Sequence, residues 1–184
     1  MMKGMVNVKI LIVILILFVI FVIFLYNYLV RLNIRCKNAW SQIDNQLKRR
    51  FDLIPNLVEV TKGYAKHESK VLVDIVNARN DAKTLSDIAK NSEEVTNNVK
   101  NLLALAENYP DLKANEVFKN LQIELTGTED KIAFARQFYN DSVQHYNTAI
   151  TIFPNNLLAK IMNYKEREYF KVNDDEKKLV KVEL

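Results

Sequence analysis

The sequence predicts an all-α protein: a single N-terminal transmembrane helix that continues into an antiparallel four-helix-type bundle of long helices. Only three Gly and three Pro occur in 184 residues, so few turns interrupt the chain. Apolar residues recur at intervals of mostly three and four. We expect residues 1–30 to be a short tail and the membrane anchor, residues 31–168 the bundle, and residues 169–184 a mobile charged tail.

The anchor is an uncharged stretch, ILIVILILFVIFVIFLYNYLV, at residues 10–30. As a helix of about 21 residues with a rise of 1.5 Å per residue, it covers the roughly 30 Å hydrocarbon core of a bilayer. A cleaved signal peptide is the alternative, but its apolar region has about 7 to 15 residues and ends at small side chains. This stretch ends at Tyr26, Asn27 and Tyr28, which favours an uncleaved anchor that crosses the bilayer once.

The residues beside the anchor predict its lipid contacts and its orientation. Tyrosine rings suit the membrane–water interface, and basic side chains can reach anionic headgroups. The predicted membrane-interface residues are Tyr26, Tyr28, Arg31, Arg35 and Lys37. Only Lys3 and Lys9 precede the anchor, so the basic residues that follow it predict a short N-terminus outside the cell membrane and a cytoplasmic C-terminal domain.

The anchor is expected to run on as an amphipathic helix. Its apolar stripe consists of Leu29, Leu32, Cys36, Ala39, Trp40, Ile43, Leu47 and Phe51. Pro55 lacks a backbone donor and clashes with the preceding turn, so we predict a break there. Asp52 would then be the N-cap of a second helix from Ile54 towards Ala82. A kink at Pro55 within one long helix is the alternative.

Two more helices are predicted further along the chain. Ser92 is the expected N-cap of the third, Pro110 ends or bends it, and Asn115 starts a continuation. The segment 126–128 (TGT) is expected to form a turn that caps the next helix. That helix contains a heptad seam ending at Pro154, whose members are Thr128, Ile132, Ala135, Tyr139, Ser142, Tyr146, Ala149 and Phe153.

No group of residues in the sequence predicts catalysis or metal binding. His67-Glu68 resembles half of a zinc-binding HExxH motif, but Val71 stands where the second histidine would be. The chain lacks a GxSxG motif and a phosphate-binding glycine loop. Cys36 is expected to pack within the apolar stripe, with S-palmitoylation as the alternative. We therefore expect no enzymatic activity, no cofactor and no metal.

Charged residues suggest structural pairing more than nucleic-acid binding. The net charge of +4 is modest and is spread along the chain. Lys48, Arg49 and Arg50 begin about 27 Å from the anchor, beyond the Debye length of about 8 Å, so we predict that Arg49 or Arg50 pairs with an acidic residue of the bundle. Other charges that interrupt apolar stretches are either exposed or form interhelical ion pairs, and they are Arg79, Glu107, Glu129 and Arg136.

Several longer motifs resemble the LemA family of bacterial membrane proteins. They are AWSQIDNQLKRRFDLIPNLVEVTKGYAKHE from Ala39, LAENYPDLKAN from Leu105, LQIELTGTEDKIAFAR from Leu121, two YN pairs, and FPNN from Phe153. The resemblance implies one anchor with a short external end, a cytoplasmic antiparallel helical bundle, and no established enzymatic activity. The structural motif residues that it implies are Trp40, Arg49, Arg50, Asp52, Pro55, Asn56, Arg79, Glu107, Pro110, Glu129 and Arg136.

The chain also departs from the family pattern. Val60-Thr61 reverses a more usual order, Met162-Asn163 replaces a glycine commonly found before the aromatic residue, and the tail lacks the usual closing pattern. The combined features predict a membrane-tethered, non-enzymatic interaction or scaffold protein. Its expected partners are the lipid bilayer, a membrane or cytoplasmic protein, and a second copy of the chain, but no nucleic acid. The alternative is an accessory or regulatory subunit of a membrane enzyme such as an envelope protease.

Overall fold

The computed structural model describes residues 2–63 and 85–171. Within these ranges the chain forms α-helices and no strand, which confirms the all-α fold class. The helices are α1 (Met2–Lys62), α2 (Leu85–Ala106), α3 (Pro110–Ala114), α4 (Glu116–Thr151) and α5 (Asn155–Ile161). An extended segment, residues 164–171, follows α5. The predicted second helix towards Ala82 lies mostly outside the described residues.

Helix α1 is continuous through Pro55, so the predicted break and the predicted N-cap at Asp52 are wrong. Asp52 and Pro55 both face solvent, whereas Ile54 and Leu57 are buried beside them. A proline inside a helix costs about 3 kcal/mol. Fully buried aliphatic side chains contribute about 1.5–3 kcal/mol each, so packing on both sides of Pro55 offsets the lost hydrogen bond.

Helix α4 is also continuous, and the predicted turn at residues 126–128 is wrong. The hydroxyl of Thr126 donates to the carbonyl of Gln122 (2.9 Å), and that of Thr128 donates to the carbonyl of Glu124 (2.7 Å). Both threonines therefore bond back to their own helix instead of capping a new one. The predicted seam is confirmed from Thr128 to Ala149, whose members are all buried. Phe153, its last predicted member, is 77% exposed.

The other predicted helix boundaries have mixed outcomes. Ser92 is not an N-cap, because α2 already includes Leu85 and Ser92 is buried in its interior. Pro110 is the first residue of α3, where its missing donor costs nothing. Asn115 caps α4 as predicted: its Oδ1 accepts hydrogen bonds from the amides of Val117 (2.8 Å) and Phe118 (3.1 Å).

The chain divides into two compact units. Unit 1 combines residues 1–39 with 139–168, and unit 2 combines residues 40–138 with 169–184. The core of unit 2 is built from four helices, α1 to α4, and consists of Ile54, Leu57, Val58, Val95, Val99, Leu102, Ala106, Leu112, Phe118, Leu121 and Leu125. The buried apolar residues of unit 1 include Leu29, Cys36, Ala39, Tyr139, Val143, Tyr146, Ala149, Ile150 and Ala159.

The N-terminal part of α1 differs from the rest because its apolar side chains are exposed. The exposed large apolar residues between Ile10 and Phe24 have 47–67% of their surface accessible. By length and composition α1 can cross a membrane. Such exposure is costly in water and favourable in lipid, which indicates a membrane location.

We expect Gly127→Ala to stabilise the protein. Gly127 lies inside α4, and a Cβ atom placed there would meet no heavy atom within 4 Å. Glycine in a helix interior costs roughly 1 kcal/mol relative to alanine. Chemical denaturation of the full chain in detergent micelles should show a free energy of unfolding higher by up to about 1 kcal/mol. The reverse control, Ala133→Gly on the same helix, should lower it, and a loss of stability in Gly127→Ala would contradict a continuous α4.

Candidate functional site

Arg50 is a charged residue in the interior of unit 2. It lies on the buried stripe of α1 between Leu47 and Ile54, so the helix directs its side chain inward, and only 2% of it is exposed. Its Nη1 lies 2.7 Å from Oε2 of Glu129 on α4. The same nitrogen donates to Oγ1 of Thr96 on α2 at 2.9 Å. The guanidinium thus joins three helices.

Ser92 contributes the second half of this network. Its Oγ accepts a hydrogen bond from Nη2 of Arg136 at 2.6 Å. Its carbonyl accepts one from the Thr96 hydroxyl at 2.9 Å and a longer one from Arg50 at 3.5 Å. Ser92 was predicted to cap a helix, but its small polar side chain instead serves contacts between helices.

Burial makes this arrangement costly for the charged groups. Burial lowers the pKa of the Arg50 guanidinium below its ordinary value, the Glu129 carboxylate raises it, and Arg136 lowers it further. Arginine does not lose its proton in proteins, so its surroundings must hold the charge. The ion pair is close but imperfect, since Nε of Arg50 and Oε2 of Glu129 lack an aligned hydrogen bond among the described residues. Such a pair favours one helix register more than it adds net stability.

The prediction that Arg49 or Arg50 pairs with an acidic residue is confirmed for both, with different consequences. Nη2 of Arg49 lies 3.8 Å from Oε2 of Glu124, and both side chains are about half exposed (53% and 49%). An exposed pair of this kind contributes only about 0–1 kcal/mol. Of the two adjacent arginines, Arg50 is the one on which packing depends.

The aromatic residues of unit 2 extend the network towards the C-terminus. The guanidinium carbon of Arg136 lies 4.8 Å from the centroid of the Phe170 ring, a cation–π contact. The Trp40 ring lies 6.3 Å from the same ring at an angle of 35°. Phe170 is 3% exposed, so ordered packing reaches into the segment that was assigned to a tail from residue 169. Residues 172–184 lie outside the described residues.

Unit 1 has a second polar network, which the sequence did not predict. The side chain of Asn147 bonds both the carbonyl and the amide of Arg167, each at 2.9 Å. Nη2 of Arg167 donates to Oδ1 of Asn33 at 2.7 Å, and its guanidinium carbon lies 5.5 Å from the Tyr146 ring. The hydroxyl of Tyr139 donates to the carbonyl of Glu168. In the sequence, the two Tyr-Asn pairs on the seam of α4 are the pattern that could have indicated this network.

Cys36 packs in the interior of unit 1. It is fully buried, and its thiol donates to the carbonyl of Ser142 at 3.2 Å. Burial raises the pKa of the thiol, while Arg167 and Arg35 act in the opposite direction. Acylation requires an accessible thiolate, so this position favours packing over S-palmitoylation.

The remaining predicted site residues are scattered over exposed surfaces. Of the membrane-interface set, Tyr26 and Tyr28 are 48% and 39% exposed, and all five members face solvent on α1: Tyr26, Tyr28, Arg31, Arg35 and Lys37. Asn56, Glu107 and Pro110 are also exposed. His67, Glu68 and Arg79 lie outside the described residues. Within residues 2–63 and 85–171, no three His, Cys, Asp or Glu side chains are grouped to hold a metal ion.

Unit 2 also has an open groove between α1 and α4. Its volume is about 470 Å³, and it is lined by Gln42, Gln46, Lys131, Phe134, Ala135 and Phe138. Phe134 is 79% exposed at this groove. Oε1 of Gln46 is buried there without a hydrogen-bond partner in the described part of the chain. The groove therefore offers an exposed apolar contact. No sequence pattern predicted the groove, because the regular apolar stripes of α1 and α4 face the core.

The chain was compared with known proteins. The LemA family pattern matches residues 39–184. Magnetosome protein MamQ 2 of Paramagnetospirillum magneticum and MamQ of Magnetospirillum gryphiswaldense are each 26% identical, over 79% of this chain and 64% of theirs. Protein LemA of Metamycoplasma hominis is 26% identical, over 82% of this chain and 71% of its own. The chain thus spans just under two thirds of the length of the MamQ relatives.

We expect the buried and exposed ion pairs to respond differently to loss of their carboxylates. Glu129→Gln leaves Arg50 buried without a counter-charge and should lower the free energy of unfolding by about 3 kcal/mol. The matched control, Glu124→Gln, should lower it by less than about 1 kcal/mol. Denaturation in micelles measures both. The double variant Arg50→Met with Glu129→Met should lose less than Glu129→Gln, and equal losses at Glu124 and Glu129 would contradict this assignment.

Proposed function

The chain belongs to the LemA family, and on that premise we propose that it is a membrane-tethered, non-enzymatic protein whose helical domain binds another protein. The observation that carries the proposal is the groove at Phe134. An aromatic side chain that is 79% exposed beside an open groove is costly in water, and aromatic residues are enriched at protein interfaces. The apolar helix α1 would hold this surface at the membrane.

The groove also supports a particular kind of ligand. Phe134, Ala135 and Phe138 offer an apolar lining, so an apolar side chain of the partner would be desolvated there. Lys131 at the same groove attracts a carboxylate. We infer a polypeptide segment with an apolar side chain near an acidic residue.

The proposed topology is a single crossing with a short N-terminus outside and the helical domain in the cytoplasm. Basic residues support this orientation: two precede the predicted span, whereas Arg31, Arg35 and Lys37 follow it closely. The lipid bilayer is then a constant partner of the protein. A narrower role, as an accessory subunit of a membrane enzyme such as an envelope protease, would use the same groove and the same topology.

Photo-crosslinking tests the groove. A photoreactive phenylalanine analogue at Phe134 should give a discrete protein adduct in native membranes at native abundance. The matched control is the same analogue at Ile123, which lies on α4, is 70% exposed and does not line the groove. Because specific binding buries one surface, the adduct should be absent from position 123. Identical products from the two positions, or none from 134, would contradict the proposal. Recovery of one membrane enzyme would support the narrower role.

Single-cysteine labelling tests the topology. Cys36→Ala removes the single native thiol, after which Asn7→Cys reports the N-terminus and Glu94→Cys reports the helical domain. A membrane-impermeant thiol reagent applied to intact cells should label position 7 and leave position 94 unlabelled until lysis. The reverse pattern would show the opposite orientation.

A further inference from the structure

Unit 1 contains a short segment whose apolar side chains face outward. We call residues 152–163 the tip; it follows the end of α4 and contains the Pro154 turn and α5. Its exposed large apolar residues are Ile152 (50%), Phe153 (77%), Leu157 (59%) and Ile161 (82%). Leu157 and Ile161 are four residues apart and share one face of α5. Asn155 and Ala159 are buried instead, so the tip packs on unit 1 through one side only.

The tip has a defined conformation. Asn163 has φ of 53°, its amide donates to the carbonyl of Lys160, and the amide of Tyr164 donates to the carbonyl of Ala159. This pair of bonds is a Schellman motif with asparagine in the left-handed position that glycine usually fills. The chain then turns back, and the Tyr164 ring lies 5.9 Å from that of Tyr146. The outward apolar face is therefore held in place.

Contacts within unit 1 indicate how far along the axis of α1 the tip lies. Cys36 contacts Ser142, while Arg167 joins Asn33 to Asn147. Earlier residues of α1 thus lie beside later residues of α4, so the two helices are antiparallel here. Ile152 and Phe153 lie ten and eleven residues beyond Ser142, about 15 Å along the axis. Their level on α1 is therefore close to Leu25 and Tyr26.

That level lies inside the predicted span. Leu25 is five residues before Val30, the last residue of the apolar stretch, hence about 6 to 8 Å within it. Amphipathic segments that bind membrane interfaces bury their apolar face about 5–10 Å deep. Val22 and Leu25 are only partly exposed, unlike the freely exposed neighbours Phe21 and Ile23. They extend the buried stripe of Leu29 into the span, so packing of protein on α1 continues below the water interface.

The surrounding charge also suits a lipid surface. The sequence has no acidic residue before Asp44, and none between Asp141 and Glu166. Both segments of unit 1 that approach this level therefore lack carboxylates, whereas Arg31, Lys160 and Lys165 lie in or beside them. Lysine can keep its charged end among headgroups while its stem lies along apolar surface. Lys160, between Leu157 and Ile161, is placed for this.

We propose that the tip inserts into the lipid interface of the leaflet from which α1 emerges, as a second membrane contact made by Ile152, Phe153, Leu157 and Ile161. The inference rests on the proposed crossing of the membrane by α1. A bilayer surrounds a spanning helix, so an outward apolar face packed beside that helix at this level meets acyl chains. Two contacts restrict the tilt and rotation of unit 1 at the membrane surface.

Fluorescence quenching by lipid tests this contact directly. The full chain is reconstituted into phospholipid vesicles with Trp40→Phe, which removes the single native tryptophan. Phe153→Trp then reports the tip, and Gln144→Trp is the control, an exposed site on α4 about 14 Å further from the anchor. Lipids brominated near the carbonyl end of the acyl chain should quench Phe153→Trp strongly and leave Gln144→Trp nearly unchanged.

Two further variants distinguish failure of the tip proposal from failure of the proposed membrane crossing by α1. Phe18→Trp should be quenched most by lipids brominated near the methyl end of the chain, which establishes the crossing by α1. If Phe18→Trp is quenched and Phe153→Trp behaves like Gln144→Trp, the tip inference is overturned while the anchor stands. If neither is quenched, both are overturned.

Adding Leu157→Ser and Ile161→Ser to Phe153→Trp should reduce its quenching by roughly half, because two of four apolar contacts are lost. Unchanged quenching would count against the shared insertion.

Discussion

The charge of Arg50 has no access to bulk water, and the packing of unit 2 follows from that constraint. A buried guanidinium must find polar partners or lose several kcal/mol of stability, and here they come from two other helices, Thr96 and Ser92 on α2 and Glu129 on α4. A slip of either helix by one residue would remove them. The apolar core around Leu57 and Leu102 supplies the attraction between helices but tolerates other registers, whereas the guanidinium does not.

A polar network also fixes the packing of unit 1, but the side chains that bind Arg167 there are uncharged. Asn147 binds both backbone groups of Arg167, and the Arg167 side chain crosses to Asn33, so an extended segment without secondary structure is held on the two helices. Asn163 makes this return possible, because its left-handed backbone reverses the chain after α5. Asparagine tolerates this conformation better than other residues except glycine. Asn163 thus supplies the left-handed conformation that glycine usually fills at the end of a helix.

These two networks leave specific surfaces for interaction. In unit 2 the buried stripe of α1, which includes Arg50, and the seam of α4 face the core, and Phe134 remains exposed at the groove. In unit 1 the tip exposes Phe153 and Ile161. The first surface suits a polypeptide, because Lys131 lies beside its apolar lining, and the second suits lipid, because no acidic residue lies between Asp141 and Glu166. A membrane-tethered interaction protein needs both kinds of contact.

The sequence alone determined the all-α class, the long apolar N-terminal stretch, the buried stripe of α1 and most of the seam of α4, because periodicity records which face of a helix is buried. It also indicated that an arginine at 49 or 50 would be paired. It could not determine whether Pro55 or Thr126-Gly127-Thr128 interrupts a helix, since local propensities of about 1–3 kcal/mol are outweighed by packing that involves residues distant in the chain. Nor could it distinguish Arg49 from Arg50, recognise Ser92 as a link between helices, or place Phe153 beside the anchor. Those features depend on which residues of other helices lie opposite, and only the tertiary structure decided that.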